Sequence, residues 1–219
     1  MKAMLAYERK ITGNNPIWVI LTVLTVFTLA CLSGGDLVNW AYLGFEILLP
    51  FFVSIMVCEW VKTLSDPLMD VIAVHADSLF RWVAGRYLFV FGLASLLCLM
   101  CMAVLRVAVL DFSFFELVTV FLSTAFFFSS LGVFTSFLSR QPHAATALCG
   151  MVWLFCLLLM QGFVENLVRF PVVACVYPFI RSATPDNPIW PANKTILFLL
   201  GIVLWIWIFH VCRKRKFYL

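Results

Sequence analysis

Few side chains in this 219-residue chain could do chemistry, and they lie far apart. Glu46 lies about a third of the way into a long apolar stretch, one turn before Pro50. A carboxylate at membrane depth costs free energy and needs a reason, so Glu46 either lines a path or accepts a proton, or it lies near enough to the membrane surface to be partly hydrated. We take four residues as substrate-path candidates: Glu46, Phe126, Phe127 and Gln161.

The last three candidates have structural readings as well. Phe126 and Phe127 belong to an aromatic run in a chain with 23 phenylalanines, which could hold an amphipathic cargo. Packing against protein or lipid explains most such rings, however. Gln161 could face a substrate, or it could form a hydrogen bond between helices.

The sequence lacks the common motifs for catalysis and metal binding. Cys98-Leu-Met-Cys101 has the spacing of a redox or metal pair, but no His or carboxylate lies within a turn of it, so we expect both thiols in the core. The chain has no GxxxxGK[ST] phosphate loop and no HExxH pair, and Ser129, Ser130 and Ser136 lack the flanking glycines of a GxSxG elbow. We therefore predict a chain that is not an enzyme and has no catalytic residue, no metal site, no cofactor and no disulfide framework.

Six apolar stretches must position these residues. Hydrophobic residues make up 64% of the chain, charged residues 12%, and the mean hydropathy is +1.05. Such a composition is typical of a membrane protein, and each stretch approaches the ~20 residues that a helix needs to cross the bilayer. We predict an all-α membrane protein with six spans at 16–33, 40–57, 87–110, 115–138, 144–163 and 195–211.

Basic residues predict the orientation of these spans. Six spans put both termini on one side, and that side would hold eleven of the 15 Lys and Arg residues. They are Lys2, Arg9, Lys10, Lys62, Arg81, Arg86, Arg140, Arg213, Lys214, Arg215 and Lys216. The other side would hold Arg106, Arg169, Arg181 and Lys194, with Arg106 snorkelling towards water and Asp111 and Glu116 near enough to pair with it. The positive-inside rule then predicts cytoplasmic termini. We expect a multi-pass protein of the plasma membrane, from a bacterium.

The segments between the spans have structure of their own. Residues 1–15 have the pattern of an interfacial helix that leads through Asn15 and Pro16 into the first span. In the cytoplasmic loop 60–86, a short helix begins at Pro67, and Leu68, Val71, Ile72 and His75 share one face. This face either rests on lipid and protein or docks into a groove on a cytoplasmic partner. Residues 164–194 contain many prolines, which predicts short re-entrant or interfacial outer helices, with an ordinary outer loop as the alternative.

This order of features resembles the ABC-2 type permease subunit of ABC transporters. The resemblance covers nearly the whole chain, although each of its motifs is loose. Glu59, Leu64, Ser78, Gly85 and Arg86 follow the pattern of the family's segment that couples the permease to its ATPase. The chain departs from that pattern at 75–77, where the family often has Pro or Thr.

The resemblance implies a single transmembrane domain over 1–219 that exports a hydrophobic or amphipathic substrate, such as a peptide, a lipid or a drug-like molecule. ATP and Mg would bind to two separate ATPase subunits, coupled through Glu59, Pro67, Leu68, Val71, Ile72, His75, Ser78, Gly85 and Arg86. A second permease subunit, identical or related, would complete the path; membrane lipids are further partners, and nucleic acid is not one. Two alternatives stay open: an ATP-independent carrier or channel, and a structural or sensory membrane protein with a cytoplasmic partner.

Overall fold

A computed structural model describes residues 15–33, 37–61, 79–108, 112–139, 142–185 and 187–215. All secondary structure in these ranges is helical, which confirms the prediction of an all-α chain. The elements are α1 (Asn15–Ser33), α2 (Leu37–Leu43), a π-helical turn (Gly44–Leu48), α3 (Leu49–Val61), α4 (Leu79–Ala108), α5 (Phe114–Ser139), α6 (Pro142–Arg169), α7 (Pro171–Val176), α8 (Ile180–Ala183) and α9 (Trp190–Arg215).

Four helical stretches among the described residues are long and apolar enough to cross a membrane. They are Asn39–Glu59, Leu79–Val107, Phe114–Leu138 and Trp190–Arg213. α6 contributes a shorter apolar stretch, Ala144–Met160, and α1 is 19 residues long. These lengths suggest a membrane-embedded protein, whereas the count of six spans stays a prediction.

The outer segment predicted at 164–194 is shorter at both ends in the structure. α6 continues to Arg169 and α9 already begins at Trp190, so the short helices α7 and α8 occupy only the middle of the predicted outer segment. α9 begins early because the Asn187 side chain accepts a hydrogen bond from the Ile189 amide at 2.9 Å, and Pro191 suits the first turn of a helix. Lys194 therefore lies inside a helix rather than in a loop.

α5 lies at the centre of the bundle and contacts α3, α4, α6 and α9. Of its most apolar 18-residue window, 61% is buried, compared with 72% for the stretch Asn39–Glu59, 33% for α4 and 22% for α9. α4 and α9 therefore expose most of their surface, as expected for helices that face lipid or another subunit. Ring contacts extend the core outwards from α5, since Phe121 meets Phe45 and Phe45 meets Phe27 of α1.

The π-helical turn has a cause in the sequence. Pro50 has no amide hydrogen, and its ring clashes with the carbonyl of the residue four positions earlier, which is Glu46. The chain accommodates the proline by widening one turn, and the Leu49 amide donates to the Gly44 carbonyl five residues back. The indole of Trp153 on α6 donates to the nearby Ile47 carbonyl at 3.0 Å. Glu46 thus lies in the widened turn.

Gly44 lets α1 approach this turn closely. A Cβ atom at position 44 would overlap the ring of Phe27, which is 6% exposed and packs edge-on against Phe45. The predicted core thiols lie nearby: Cys98 is buried, and Cys101 lies 3.2 Å from the Thr28 hydroxyl. Contacts between small residues and rings therefore hold α1 against α4 and the π-helical turn.

We predict that Gly44→Ala destabilises the protein by about 1–3 kcal/mol, because the new methyl group overlaps the buried Phe27 ring and one of the two must shift. The matched control is Gly92→Ala on α4, where the added methyl group meets no atom within 4 Å. This control should be neutral or stabilising, by up to ~1 kcal/mol, since alanine favours a helix. Denaturant unfolding of the purified protein in mixed micelles measures both. Equal effects of the two substitutions would contradict the close approach of α1.

Candidate functional site

A buried ion pair joins the π-helical turn to the first part of α9. The ammonium of Lys194 lies 2.5 Å from a carboxylate oxygen of Glu46, and both side chains are completely buried. Two charges in such a place need compensating hydrogen bonds as well as each other, because removing both from water costs several kcal/mol per ion. Both side chains have such further hydrogen-bond partners, on α5, on α8 and between the short helices.

Backbone amides of α8 complete the coordination of Glu46. One carboxylate oxygen accepts from the Arg181 amide at 3.2 Å as well as from Lys194, and the other accepts from the Ser182 amide at 2.5 Å. Amides in the first turn of a helix have no partner within the helix, so a carboxylate is well suited to satisfy them. Glu46 therefore caps α8 from another part of the chain.

Lys194 uses all three of its protons. Besides Glu46, it donates to the Thr124 hydroxyl on α5 at 3.0 Å and to the Pro178 carbonyl, between α7 and α8, at 2.6 Å. The Thr124 hydroxyl in turn donates to the Val120 carbonyl at 2.9 Å. An ammonium has three donors and no acceptor, so its hydrogen-bonding capacity is filled.

Two neighbours extend the network around α7 and α8. The side-chain amide of Asn193, completely buried beside Lys194, donates to the carbonyls of Ala174 at 2.9 Å and Tyr177 at 2.8 Å. The Tyr177 hydroxyl donates to the Cys156 carbonyl on α6 at 2.8 Å, and burial raises the pKa of this tyrosine. α7 is thereby held from both α6 and α9.

The Arg181 side chain forms a second, more exposed ion pair. Its Nε donates to Glu116 at 2.5 Å, and its guanidinium lies 4.6 Å from the centre of the Tyr42 ring. Burial alone lowers the pKa of Arg181, but the hydrogen bond and charge of Glu116 outweigh burial and raise that pKa above its ordinary value. Glu116, one of the two acids expected near Arg106, thus pairs with Arg181, and Asp111 lies outside the described residues.

Together these contacts define what we call the tether: Glu46, Lys194, Thr124, Asn193 and the α8 amides. It connects the π-helical turn, α5 and α9 to the two short helices. In this conformation Lys194 donates all three of its protons and has none left for a ligand, and Glu46 accepts three of the about four hydrogen bonds open to a carboxylate. The short helices can leave this position only if the two buried charges of Glu46 and Lys194 separate.

A second feature is an apolar groove between α4 and α9, with a volume of about 440 Å³. Its walls include Phe80, Ala84, Leu88, Phe126, Trp205 and Phe209. Polar atoms at its floor are turned into the protein: the Tyr87 hydroxyl lies 2.8 Å from the Ser129 hydroxyl, and the Trp205 indole donates to Ser130 at 3.1 Å. The α4–α9 groove therefore offers carbon surface almost throughout.

The four substrate-path candidates do not form one site. Glu46 belongs to the tether, and Phe126 lines the α4–α9 groove. Phe127 packs in a separate cluster with the short helices, and Gln161 belongs to α6, with its side chain outside the described residues. Two contacts between α5 and α9 link the tether to the groove. Thr124 accepts a hydrogen bond from Lys194, and the rings of Phe126 and Phe198 lie 5.0 Å apart.

The three predicted coupling residues that the structure describes, Glu59, Gly85 and Arg86, lie at the end of the bundle opposite the tether. Glu59 lies in the last turn of α3 and accepts a hydrogen bond from Thr146 at 3.3 Å, and Gly85 is exposed on α4. Arg86 is only 5% exposed and lies over the Trp82 ring at 3.6 Å. The remaining coupling residues, Pro67, Leu68, Val71, Ile72, His75 and Ser78, lie outside the described residues, as does the interfacial helix predicted for 1–15 except Asn15.

Sequence reasoning missed Lys194, Thr124 and Asn193 as site residues. The loop charge count assigned Lys194 to an outer loop because the last span was expected to begin at Thr195. Asn187 followed by Pro191 was the available signal for an earlier helix start. A helix beginning there would have placed Lys194 at membrane depth, where a lysine needs an anionic partner, and Glu46 is the deepest acid in the chain.

We predict that breaking the ion pair costs more than removing it. Glu46→Gln or Lys194→Met alone should destabilise the protein by about 3–5 kcal/mol, because each leaves one buried charge without its partner. The double variant Glu46→Gln/Lys194→Met should be less destabilised than either single variant. Denaturant unfolding in micelles measures all three.

The control for these three variants is Glu116→Gln. Its pair with Arg181 is partly exposed, 20% and 17% for the two side chains, so the loss should be smaller than for Glu46→Gln. Additive losses in the double variant would contradict a direct Glu46–Lys194 interaction.

Among the described residues, no group of three or more His, Cys, Asp or Glu side chains could hold a metal ion. No protein-family model, no curated protein and no solved structure matches this chain. Its function is therefore argued from the tether, the groove and the sequence pattern.

Proposed function

We propose that this chain is the membrane-spanning permease subunit of an ATP-driven exporter of the ABC-2 type. The observation that carries the proposal is the pair of short helices, α7 and α8, between the last two long helices and held by the tether. Short helices at this place in the chain are what the resemblance implies. The four long apolar helices and the apolar groove are consistent with a subunit that handles hydrophobic material in a membrane.

In the proposed arrangement, six spans place both termini in the cytoplasm and the tether at the outer face. The loop 60–86 lies in the cytoplasm and docks on two ATPase subunits, which bind ATP and Mg. A second permease subunit completes the translocation path. ATP binding closes the ATPase pair, moves the short helix near Pro67 and re-angles the second and third spans, because packed helices shift between discrete arrangements.

The cargo is proposed to be hydrophobic or amphipathic. Apolar contact with aromatic rings suits such a molecule, and Phe126 lies on the groove wall. The tether would act as the outer gate, since α7 and α8 cannot move away from α9 while Lys194 holds both Glu46 and the Pro178 carbonyl. Opening the gate would then require the energy that ATP binding supplies.

A second candidate, an ATP-independent carrier, gains support from one observation. The buried Glu46–Lys194 pair supplies a second ionisable group at membrane depth, where the sequence pattern had indicated only Glu46. Proton transfer between such partners is a means by which carriers couple ion and cargo movement. The two candidates differ in whether an ATPase chain is needed.

The test is ATPase activity that purifies with the tagged, full-length subunit from its own membranes. We predict activity in the wild type and at least a ~10-fold loss in Leu68→Asp/Ile72→Asp, because charges on the apolar face of a docking helix remove two central contacts. Met69→Asp is the matched control for the single variant Leu68→Asp, since each adds one negative charge and Met69 lies beside that face; Met69→Asp should keep most of the activity. A subunit that purifies without any ATPase chain contradicts the proposal.

The carrier candidate is tested in vesicles that contain the purified subunit alone and a trapped pH-sensitive dye. The permease proposal predicts no proton flux beyond that of empty vesicles under an imposed pH gradient. Flux that Glu46→Gln abolishes, without any ATPase present, would favour the carrier.

A further inference from the structure

The α4–α9 groove continues into a basic surface at one end of the bundle. Phe80 and Phe209 close together at this end, with ring centres 5.0 Å apart. Arg81 follows Phe80 directly and is exposed at the start of α4. Arg213 lies one turn beyond Phe209 on the same helix face and is also exposed. The sequence continues with Lys214, Arg215 and Lys216.

The groove does not extend to the opposite end of the bundle, where the exposed Arg106 lies 18 residues beyond Leu88, the last groove residue of α4. There Arg181 is paired with Glu116, and Lys194 with Glu46. The apolar groove and the cationic surface thus meet at only one of the two ends. An occupant that fits both parts must have an apolar chain and an anionic head.

We propose that the α4–α9 groove is a binding site for an anionic phospholipid, with an acyl chain along the groove and the phosphate beside Arg213 and Arg81. The lining residues of α4 run from Phe80 to Leu88, which corresponds to about 12 Å along the helix at ~1.5 Å per residue. The groove volume of about 440 Å³ lies within the ~300–1,000 Å³ of typical ligand pockets. Its floor offers carbon to the chain because the Tyr87 hydroxyl and the Trp205 indole have partners inside the protein.

Charge argues against a second copy of this chain as the occupant. A two-fold interface brings the same surface of each copy together, and two copies in one membrane have the same orientation. Such an interface across the groove would bring Arg213 and Arg81 of both copies to one level of the membrane. Like charges repel, whereas an anionic headgroup is attracted by about 1 kcal/mol per basic residue near the surface.

The proposed lipid site does not depend on the transport function and extends it. A resident anionic lipid would fix α9 against α4 at the basic end, while the tether fixes α9 at the other end. Its test therefore measures lipid binding and needs no ATPase partner.

The experiment is native mass spectrometry of the full-length protein in detergent with equal amounts of added phosphatidylglycerol and phosphatidylcholine. We expect one phosphatidylglycerol to be retained preferentially. Ala84→Trp, which fills the groove, should lower this retention at least ten-fold. The matched control Ala103→Trp places the same side chain at an exposed position on α4 and should leave retention unchanged.

Charge variants test the headgroup contact. Arg213→Gln should weaken phosphatidylglycerol retention about five-fold, the equivalent of ~1 kcal/mol. Arg106→Gln removes an exposed arginine near the other end of α4 and should leave it unchanged. The melting temperature of each variant reports its folding. If Ala84→Trp lowers it, Ile206→Trp on the exposed rim of the groove provides the same readout.

Three outcomes would overturn the proposal. The first is equal retention of the two lipids by the wild type. The second is loss of phosphatidylglycerol with Arg213→Gln but not with either tryptophan variant, which would mean headgroup attraction without a groove. The third is a tryptophan variant that dissociates a dimer of this chain while lipid retention stays unchanged.

Discussion

The bundle is built around one buried ion pair, between Lys194 near the start of α9 and Glu46 in the π-helical turn. The bundle can bury either charge only when the two side chains are in contact. Neither Glu46 nor Lys194 could be completely buried without the other, and each also needs hydrogen bonds that only α8, Thr124 and the Pro178 carbonyl supply. The pair therefore fixes more than one distance. It sets where α9 begins relative to α5, and it holds the two short helices in one position.

Backbone chemistry makes this pair possible. Pro50 prevents a regular helical turn at Glu46, and the resulting π-helical turn brings the carboxylate to α8. Gly44 supplies the space for Phe27 on the side of α1. In other proteins π-helical turns frequently occur at functional sites, because the added residue changes the direction of a side chain without ending the helix. Here the turn directs an acid into the bundle.

Hydropathy predicted the all-helical class and most of the apolar helices, because a helix that crosses or lines a membrane must be apolar along its whole length. It did not predict the tether. Lys194 differs from a loop lysine only by lying after a helix start whose signals, Asn187 and Pro191, are separated by three residues. The partner of Glu46 is 148 residues away in sequence, and pairing at such a distance is set by how helices pack rather than by local pattern. For the same reason, the sequence could not show that Glu46 and Phe126 lie in two different sites.

The bundle has two chemically different ends. At one end, buried charges and capped amides hold α7 and α8 in place. At the other end, an apolar groove lies beside exposed arginines. The exporter that we propose would use both properties, because its cargo would need apolar surface inside the membrane and a gate that stays shut until energy is supplied. The α5–α9 contact connects the two ends through Lys194, Phe198 and Trp205.

The central claim is that the Glu46–Lys194 pair holds the two short helices. Hydrogen–deuterium exchange of the wild type and Lys194→Met tests it most directly, since amides exchange when their segment opens locally. The account predicts faster exchange across residues 171–183 in the variant, with exchange in the centre of α5 unchanged. Unchanged exchange over 171–183, or equal acceleration throughout the bundle, would contradict it.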